Sequence, residues 1–343
     1  MGRWLCPNSA RLGVLAAALG AILLADASCI AVELRPPKGI DDLRSLPQAR
    51  LAGWLEQADT PDYAARLMTY RSGGLTQHAL VATPHGTSPV GGYPVILANH
   101  GTHPNPRQYG ISADGVDSRP GDYYRRVPAA YARNGFLVIM PDYRGHNVSE
   151  GAEYAHGLLA THYYTEDALG ALSLVEDVPD ADERNVFVWG HSLGGEVTLR
   201  ALLVADEIRG ASLWSSVGGS LWDQAYYYAR HREPFADDRM DLAKGAVEGL
   251  RSDLLRFGSD FVWRSGEPLR HLDRLATPVI IHHAIGDHGA AYDWSRSLAA
   301  ELARLRKPYH FHSYAGDDHL FAGSQFDAAV RRDVAFFARH MVR

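Results

Sequence analysis

Three residues far apart in the sequence carry the side chains that acyl transfer by a serine nucleophile requires. Ser192 stands in the stretch GHSLG, residues 190–194, and Asp287 and His319 follow it by 95 and 127 residues. A serine hydroxyl is a poor nucleophile at neutral pH, so it needs a histidine base and a carboxylate that orients the base. We therefore predict Ser192 as the nucleophile, Asp287 as the acid and His319 as the base.

The setting of each residue supports this assignment more than the motif G-x-S-x-G does, because a chain with 33 glycines is expected to match that motif by chance roughly 0.2 times. Ser192 falls between an apolar, strand-like run and a helix-like run, where a nucleophile is raised on a tight turn. Asp287 and His319 each follow an apolar run. Asp293 is the rival for the acid, and His312 and His340 are weaker candidates for the base.

The reaction also needs N–H groups that bind the developing oxyanion. The first is expected from the backbone of Leu193, at the start of the helix that follows the serine. The second is expected from the glycine-bearing loop "NHGTHPNP", with Thr102 as the candidate donor.

Short apolar strands alternate with longer helical stretches from Arg66 onward, which is typical of an α/β fold with a largely parallel sheet. Several of the runs are continuously apolar, as in strands buried on both faces. The first two, joined by residues 72–74, are expected to form an antiparallel hairpin at the sheet edge. The predicted strands are Leu67–Arg71, Thr76–Ala82, Tyr93–Asn99, Phe136–Met140, Val186–Trp189, Ala211–Trp214, Val279–His283 and His310–Tyr314.

Apolar residues at three- and four-residue steps and flanking signals predict helices between these strands. They cover Tyr123–Asn134, Glu166–Val175, Leu193–Ala205, Ala291–Leu305 and Gln325–Met341. The long, aromatic segment 221–272 interrupts the alternation and is predicted to be a helical cap over the functional edge of the sheet.

The stretches NHGTHPNPRQYG, PDYRGHNVSEG, GHSLGGEVTLRA and TPVIIHHAIGD with YAGDDHLF resemble the single-domain α/β-hydrolases of the prolyl oligopeptidase and dienelactone hydrolase-like group. The resemblance implies an α/β-hydrolase fold, puts Ser192, Asp287 and His319 at the triad positions, and places the turn Tyr143–His146 at the border of the pocket. Family members often carry an aromatic residue or glycine where this chain has Thr102. The printed sequence has no counterpart to the long propeller of true oligopeptidases.

The composition of the chain excludes some classes of binding partner. A net charge of −6 without a long basic run argues against nucleic acid or an anionic membrane surface. We expect no cofactor and no metal, because His310 and His312 share a strand face without a third residue at ligand spacing.

The N-terminus has the pattern of an export signal. Two arginines precede an apolar run, residues 12–25, which is too short to span a membrane, and small residues follow it. We predict a signal peptide over 1–27, an N-terminal extension over 28–62 and a hydrolase domain over 63–343. The protein is expected to be periplasmic or secreted, and a lipid anchor on Cys29 remains an alternative that Asp26 fits poorly.

These observations predict an exported serine hydrolase that cleaves carboxylic esters through an acyl-enzyme, with a small-molecule ester or short peptide as substrate. Two alternatives stay open. The first is a serine peptidase of the prolyl oligopeptidase type, and the second is a catalytically silent binding protein of the same fold.

Overall fold

The computed structural model describes residues 35–102, 124, 126–155, 157–230, 239–258 and 265–343. The predicted signal peptide and both cysteines lie outside these residues. Within them, no helix is long and apolar enough to cross a membrane.

The described residues form one nine-stranded sheet, which matches all eight predicted strands and adds one. Along the chain the strands are β1 (Arg50–Asp59), β2 (Tyr63–Ser72), β3 (Leu75–Pro84), β4 (Tyr93–Asn99), β5 (Leu137–Asp142), β6 (Ala181–His191), β7 (Ile208–Trp214), β8 (Val279–Ala284) and β9 (Tyr309–Tyr314).

The strand order across the sheet is β1-β2-β3-β5-β4-β6-β7-β8-β9. The pairs β1/β2, β2/β3 and β3/β5 are antiparallel, and all the others are parallel. The carboxyl ends of β4, β6, β8 and β9 therefore lie at one edge, which is where ligands bind in sheets of this kind.

Helices cover both faces of the sheet, because successive residues of the central strands point to opposite sides. In β6, for example, Val186 and Val188 pack in one core, and Phe187 and Trp189 pack in the other. The helices are α1 (Ile40–Leu43), α2 (Arg126–Ala132), α3 (Ala160–Leu172), α4 (Leu193–Leu202), α5 (Leu221–Arg230), α6 (Arg239–Phe257), α7 (Tyr292–Arg304) and α8 (Gly323–His340). Of these, α3, α4 and α7 pack on the first face, and α2 and α8 pack on the second.

Strand β1 departs from the sequence prediction. Its residues lie in the segment 28–62, predicted as an extension outside the hydrolase domain, but they pair with β2 and form the edge of the sheet. The predicted hairpin β2–β3 is present and antiparallel, but it lies one strand inside that edge. The pattern of β1 is hard to recognise because its register shifts twice, between Leu51 and Gly53 and between Leu55 and Gln57.

The segment between β7 and β8 contains helices, as predicted for the cap. Helices α5 and α6 lie there, followed by a 3-10 helix at Pro268–Arg274. Leu221, Ala225, Leu250 and Leu254 form a small apolar cluster of their own together with Leu159, which precedes α3. The cap therefore has its own core and is anchored beside α3.

Helix α4 approaches β4 so closely that only glycine fits at the contact. A Cβ atom on Gly194 would overlap the carbonyl oxygens of Asn99 and His100, and a Cβ atom on Gly195 would overlap the side chain of Ser216. Backbone atoms at the end of a buried strand cannot move away at low cost. Gly194 therefore sets the distance between α4 and the end of β4, and Gly195 sets the distance between α4 and the residues that follow β7.

We expect Gly194→Ala to lower the free energy of unfolding by at least about 3 kcal/mol, because the new methyl group overpacks a buried backbone contact. The matched control is Gly249→Ala, an exposed position inside α6 where a Cβ atom meets no atom within 4 Å. That change should stabilise the protein by roughly 0.5–1 kcal/mol, because alanine loses less backbone entropy in a helix. Urea unfolding of both variants measures the two effects. Equal stability of the Gly194 variant and the parent would show that the contact is looser than described.

Candidate active site

Ser192 occupies the turn between β6 and α4 in a backbone conformation that L-residues rarely adopt. Its φ is 55° and its ψ is −125°. Its N–H donates to the carbonyl of Trp214 at 3.0 Å, and its own carbonyl accepts from Gly195 at 3.0 Å and from Val217 at 2.9 Å. Because the backbone is hydrogen-bonded on both sides, this strained turn is held in one conformation.

The structure brings Asp287 and His319 together. His319 Nδ1 lies 2.7 Å from Asp287 Oδ2 and 2.9 Å from Oδ1, across two loops that follow β8 and β9. The Asp287 side chain is fully buried, whereas 22% of the His319 side chain is exposed. With Nδ1 donating to the carboxylate, Nε2 is the nitrogen that can accept a proton from a neighbouring group.

Several donors hold the Asp287 carboxylate in its charged form. Burial alone would raise the pKa of Asp287, but hydrogen bonds from His283 and His319 outweigh burial and hold the pKa well below its usual range. The backbone N–H groups of Gly289 and Ala290 also donate to Oδ1, at 2.7 and 3.2 Å. An aspartate fixed in this way can orient the histidine and stabilise its imidazolium form.

His283 is a part of this site that sequence reasoning missed. Its Nε2 lies 3.3 Å from Asp287 Oδ2. Its Nδ1 is hydrogen-bonded to Ser295 at 2.7 Å, which fixes the ring. Its position four residues before the acid, on the same strand end, is the signal that could have identified it.

The rival acid, Asp293, lies elsewhere. It stands in the first turn of α7, its side chain is 71% exposed, and it pairs with Arg296 at 3.0 Å. The structure therefore pairs His319 with Asp287 rather than with Asp293.

The loop after β4 lies against the serine turn. A Cβ atom on Gly101 would come within 2.7 Å of the Ser192 Cβ atom, so this loop passes directly beside the serine. Thr102, the predicted second oxyanion donor, is the next residue and is exposed, and Leu193, the predicted first donor, opens α4. The remainder of the loop, residues 103–123, lies outside the described residues.

The turn Tyr143–His146, expected at the border of the pocket, is buried and packs against the start of this loop. Tyr143 is buried, its ring lies 4.2 Å from that of His100, and its hydroxyl donates to the His100 carbonyl at 3.0 Å. Arg144 in the same turn forms several hydrogen bonds to the buried Asp167 of α3. The turn thus fixes the residue that precedes Gly101 rather than lining an open surface.

The cap contacts the loop that carries the acid. Tyr227 of α5 donates to the carbonyl of His288 at 3.0 Å, and Tyr228 lies 3.4 Å from the carbonyl of Gly289. Burial raises the pKa of Tyr227 to about 12, so its hydroxyl keeps its proton and remains a donor. Gly289 in turn lies against His319, because a Cβ atom there would come within 2.7 Å of the imidazole.

In the described part of the chain, no group of three or more His, Cys, Asp or Glu side chains is arranged to hold a metal ion. His312, weighed as a metal ligand, lies beside His282 with the rings 5.3 Å apart, and burial with nearby positive groups lowers the pKa of His312 to about 4.

A mostly parallel sheet covered by helices on both faces, with a serine on a strained turn between strand and helix, defines an α/β-hydrolase. The chain belongs to the prolyl oligopeptidase family, whose sequence profile matches residues 123–343. Both results confirm the resemblance and the fold class predicted from the sequence. Family membership supports a serine hydrolase.

Comparison with individual proteins gives both peptidases and an esterase. The chain is 26% identical to the uncharacterized peptidase YtmA of Bacillus subtilis strain 168 over 275 residues, which are 80% of this chain and 93% of that protein. Among solved structures, a puromycin-hydrolyzing peptidase of Mycobacterium tuberculosis aligns with a TM-score of 0.59 and 22% identity. An acetyl xylan esterase from Paenibacillus sp. R4 aligns with a TM-score of 0.62 and 18% identity.

The extent of these structural matches differs. The alignment with the puromycin-hydrolyzing peptidase covers 82% of this chain and 40% of the other, so the chain spans about two fifths of that peptidase's length. The alignment with the esterase covers 88% of this chain and 92% of the other. At these identities the similarity concerns the fold.

We expect Asp287→Asn to lower kcat by about 10³–10⁴, because an amide in this position favours the wrong tautomer of His319. Asparagine keeps an oxygen for the N–H groups of Gly289 and Ala290, so the loop should stay in place. Asp293→Asn is the control and should cost less than about tenfold. Steady-state kinetics on any turned-over substrate measures both changes, and a reversal of the two effects would move the acid to Asp293.

Proposed function

We propose that this protein hydrolyses carboxylic esters through an acyl-enzyme formed on Ser192. In this proposal Ser192 Oγ attacks the ester carbonyl while His319 Nε2 accepts the hydroxyl proton. His319 then returns that proton to the leaving alcohol. A water molecule, deprotonated by the same nitrogen, then attacks the acyl-enzyme, and His319 returns the proton to Ser192 Oγ as the acid is released. Asp287 orients and stabilises the imidazolium in each step.

The observation that supports this proposal most directly is the short contact between Asp287 and His319. These residues lie in the loops after β8 and β9, which are neighbouring strands of the same sheet as β6, the strand before Ser192. The N–H groups of Leu193 and Thr102 are the proposed oxyanion donors. Leu193 begins a helix, where unpaired N–H groups and the helix dipole favour negative charge.

Two arguments favour an ester over a peptide. The esterase is matched over most of both chains, whereas the puromycin-hydrolyzing peptidase is matched over less than half of its length. An ester also makes smaller demands on the site, because its alcohol leaves readily. An amide nitrogen must be protonated as it leaves, and the peptide must be held on both sides of the bond.

Peptide hydrolysis is the second candidate, and a specific observation supports it. The relative with 26% identity is described as a peptidase, and 93% of its length is aligned with this chain. The same catalytic groups serve either reaction, so the comparison of two substrates discriminates between them.

We expect kcat/KM for a short-chain aryl ester to exceed that for a prolyl or aminoacyl anilide by at least about 10², or roughly 2.7 kcal/mol of activation free energy. Comparable or faster turnover of the anilide would establish the peptidase instead. The control is Ser192→Ala, which should lower kcat by about 10⁴–10⁶ in a protein that stays folded. Failure of the unmodified protein to react with a fluorophosphonate would favour the silent binding protein.

We further propose that the protein is exported, on the basis of the charged and apolar pattern of residues 1–27. Mass analysis of the protein from its native cells should show a mature chain that begins near Ser28, or at a lipid-bearing Cys29. A chain that still begins at Met1 would contradict export.

A further inference from the structure

His191, the residue before the serine, lies between two other parts of the site. It is completely buried, with its Nε2 2.8 Å from the carbonyl oxygen of His319 and its Nδ1 2.5 Å from the hydroxyl of Tyr124. The same hydroxyl accepts the backbone N–H of Gly101 at 2.8 Å. One chain of hydrogen bonds thus runs from the loop after β4, past the serine turn, to the loop after β9.

The chemistry of these groups fixes the direction of each hydrogen bond. A carbonyl oxygen can only accept, so His191 Nε2 carries a proton and donates to His319. Burial and the neighbouring His319 hold the pKa of His191 well below its usual range, so the ring is neutral and its Nδ1 accepts. Tyr124 therefore donates its hydroxyl proton to Nδ1, and its oxygen accepts from Gly101.

The three segments joined in this way are those whose separation matters for catalysis. Gly101 precedes the proposed oxyanion donor Thr102, His191 precedes the proposed nucleophile, and His319 is the proposed base. The imidazole rings of His191 and His319 are 4.5 Å apart, and Tyr124 is only 2% exposed. Buried hydrogen bonds of this kind allow little relative movement, and a displacement of about 1 Å in a catalytic group can cost on the order of 10² in rate.

We propose that His191 and Tyr124 are positioning residues. Together they hold Gly101, in the loop after β4, and His319, in the loop after β9, at fixed positions relative to Ser192. This inference rests on the proposed function of Ser192, His319 and the loop. It assigns a role to the residue before the serine and to a tyrosine outside the proposed triad. Neither residue is proposed to touch the substrate.

Tyr124→Phe tests the proposal with little change in packing, because it removes only the hydroxyl. We expect kcat to fall about 10- to 50-fold, because Gly101 and Nδ1 of His191 lose their shared partner, while KM changes less than about twofold. Activity is expressed per active site titrated with a fluorophosphonate, so a loss of folded protein does not contribute.

Tyr131→Phe is the matched control. Tyr131 is also a fully buried tyrosine, and its hydroxyl donates to Asp333 at 2.6 Å, within the core beneath the sheet. Its removal should lower thermal stability about as much as removal of the Tyr124 hydroxyl, and it should leave kcat within about twofold of the parent. A loss of kcat in Tyr124→Phe alone would therefore reflect positioning rather than weakened packing.

Two substitutions of His191 complete the test. His191→Leu removes both hydrogen bonds and should lower kcat at least about 100-fold, whereas His191→Gln keeps an amide donor for the His319 carbonyl and should recover about tenfold. Adding Tyr124→Phe to His191→Leu should cause little further loss, because both changes break one chain.

The proposal is overturned if Tyr124→Phe keeps kcat within twofold while Ser192→Ala abolishes turnover, because the hydroxyl then contributes only packing. Full additivity of the Tyr124 and His191 effects would also overturn it. If Ser192→Ala retains activity, the proposed function itself fails, and this inference fails with it.

Discussion

The strained backbone of Ser192 is the constraint on which the other features of the site depend. A φ of 55° at a residue with a side chain costs on the order of 1–3 kcal/mol, so neighbouring interactions must offset it. Hydrogen bonds to Trp214 and Val217 do so from the adjacent strand and the loop after it. Close approach of helix α4, which requires the glycine at position 194, holds the other side of the turn. The strained backbone of Ser192, the hydrogen bonds that hold it and the glycine at position 194 thus all favour the same conformation of this turn.

From this corner, contacts extend to Gly101 in the loop after β4 and to His319 in the loop after β9, and buried groups support the loops of the site. Tyr143 supports the residue before Gly101, His283 supports the acid, and the tyrosines of α5 contact the loop between the acid and α7. The cap therefore touches the loop that follows Asp287. Gly289 lies against the His319 imidazole, so the loop that the cap contacts also packs on this histidine.

The sequence alone predicted the parallel strands well, because buried strands are continuously apolar. It also singled out Asp287 and His319, which the structure brings into contact, because the chemistry restricts the residue types. Sequence-based prediction was less successful for elements and residues whose structure depends on contacts with distant segments rather than on the local hydrophobic pattern. Strand β1 is irregular, with a glycine and two register shifts, so periodicity did not identify it. Helix α3 begins at Ala160, six residues before its predicted start. Thr161 and His162 have weak helix propensity, so the sequence pattern did not indicate a helix there, yet both are helical and buried in the structure. The supporting roles of His191 and His283 depend on contacts between distant segments, which a single sequence does not contain.

Adjacent histidines on β8 show why a histidine beside an aspartate is not by itself a catalytic pair. Side chains alternate along a strand, so His283 reaches Asp287 at the sheet edge, whereas His282 points to the opposite face and binds Asp333 at 2.8 Å. Asp333 also accepts hydrogen bonds from Ser212, Trp214 and Tyr131, and neither member of that pair is exposed. That arrangement ties α8 to the sheet and offers no nitrogen to a substrate. His319 differs in that 22% of its side chain is exposed. This difference in exposure, rather than the pairing with a carboxylate, distinguishes the proposed base from a structural histidine.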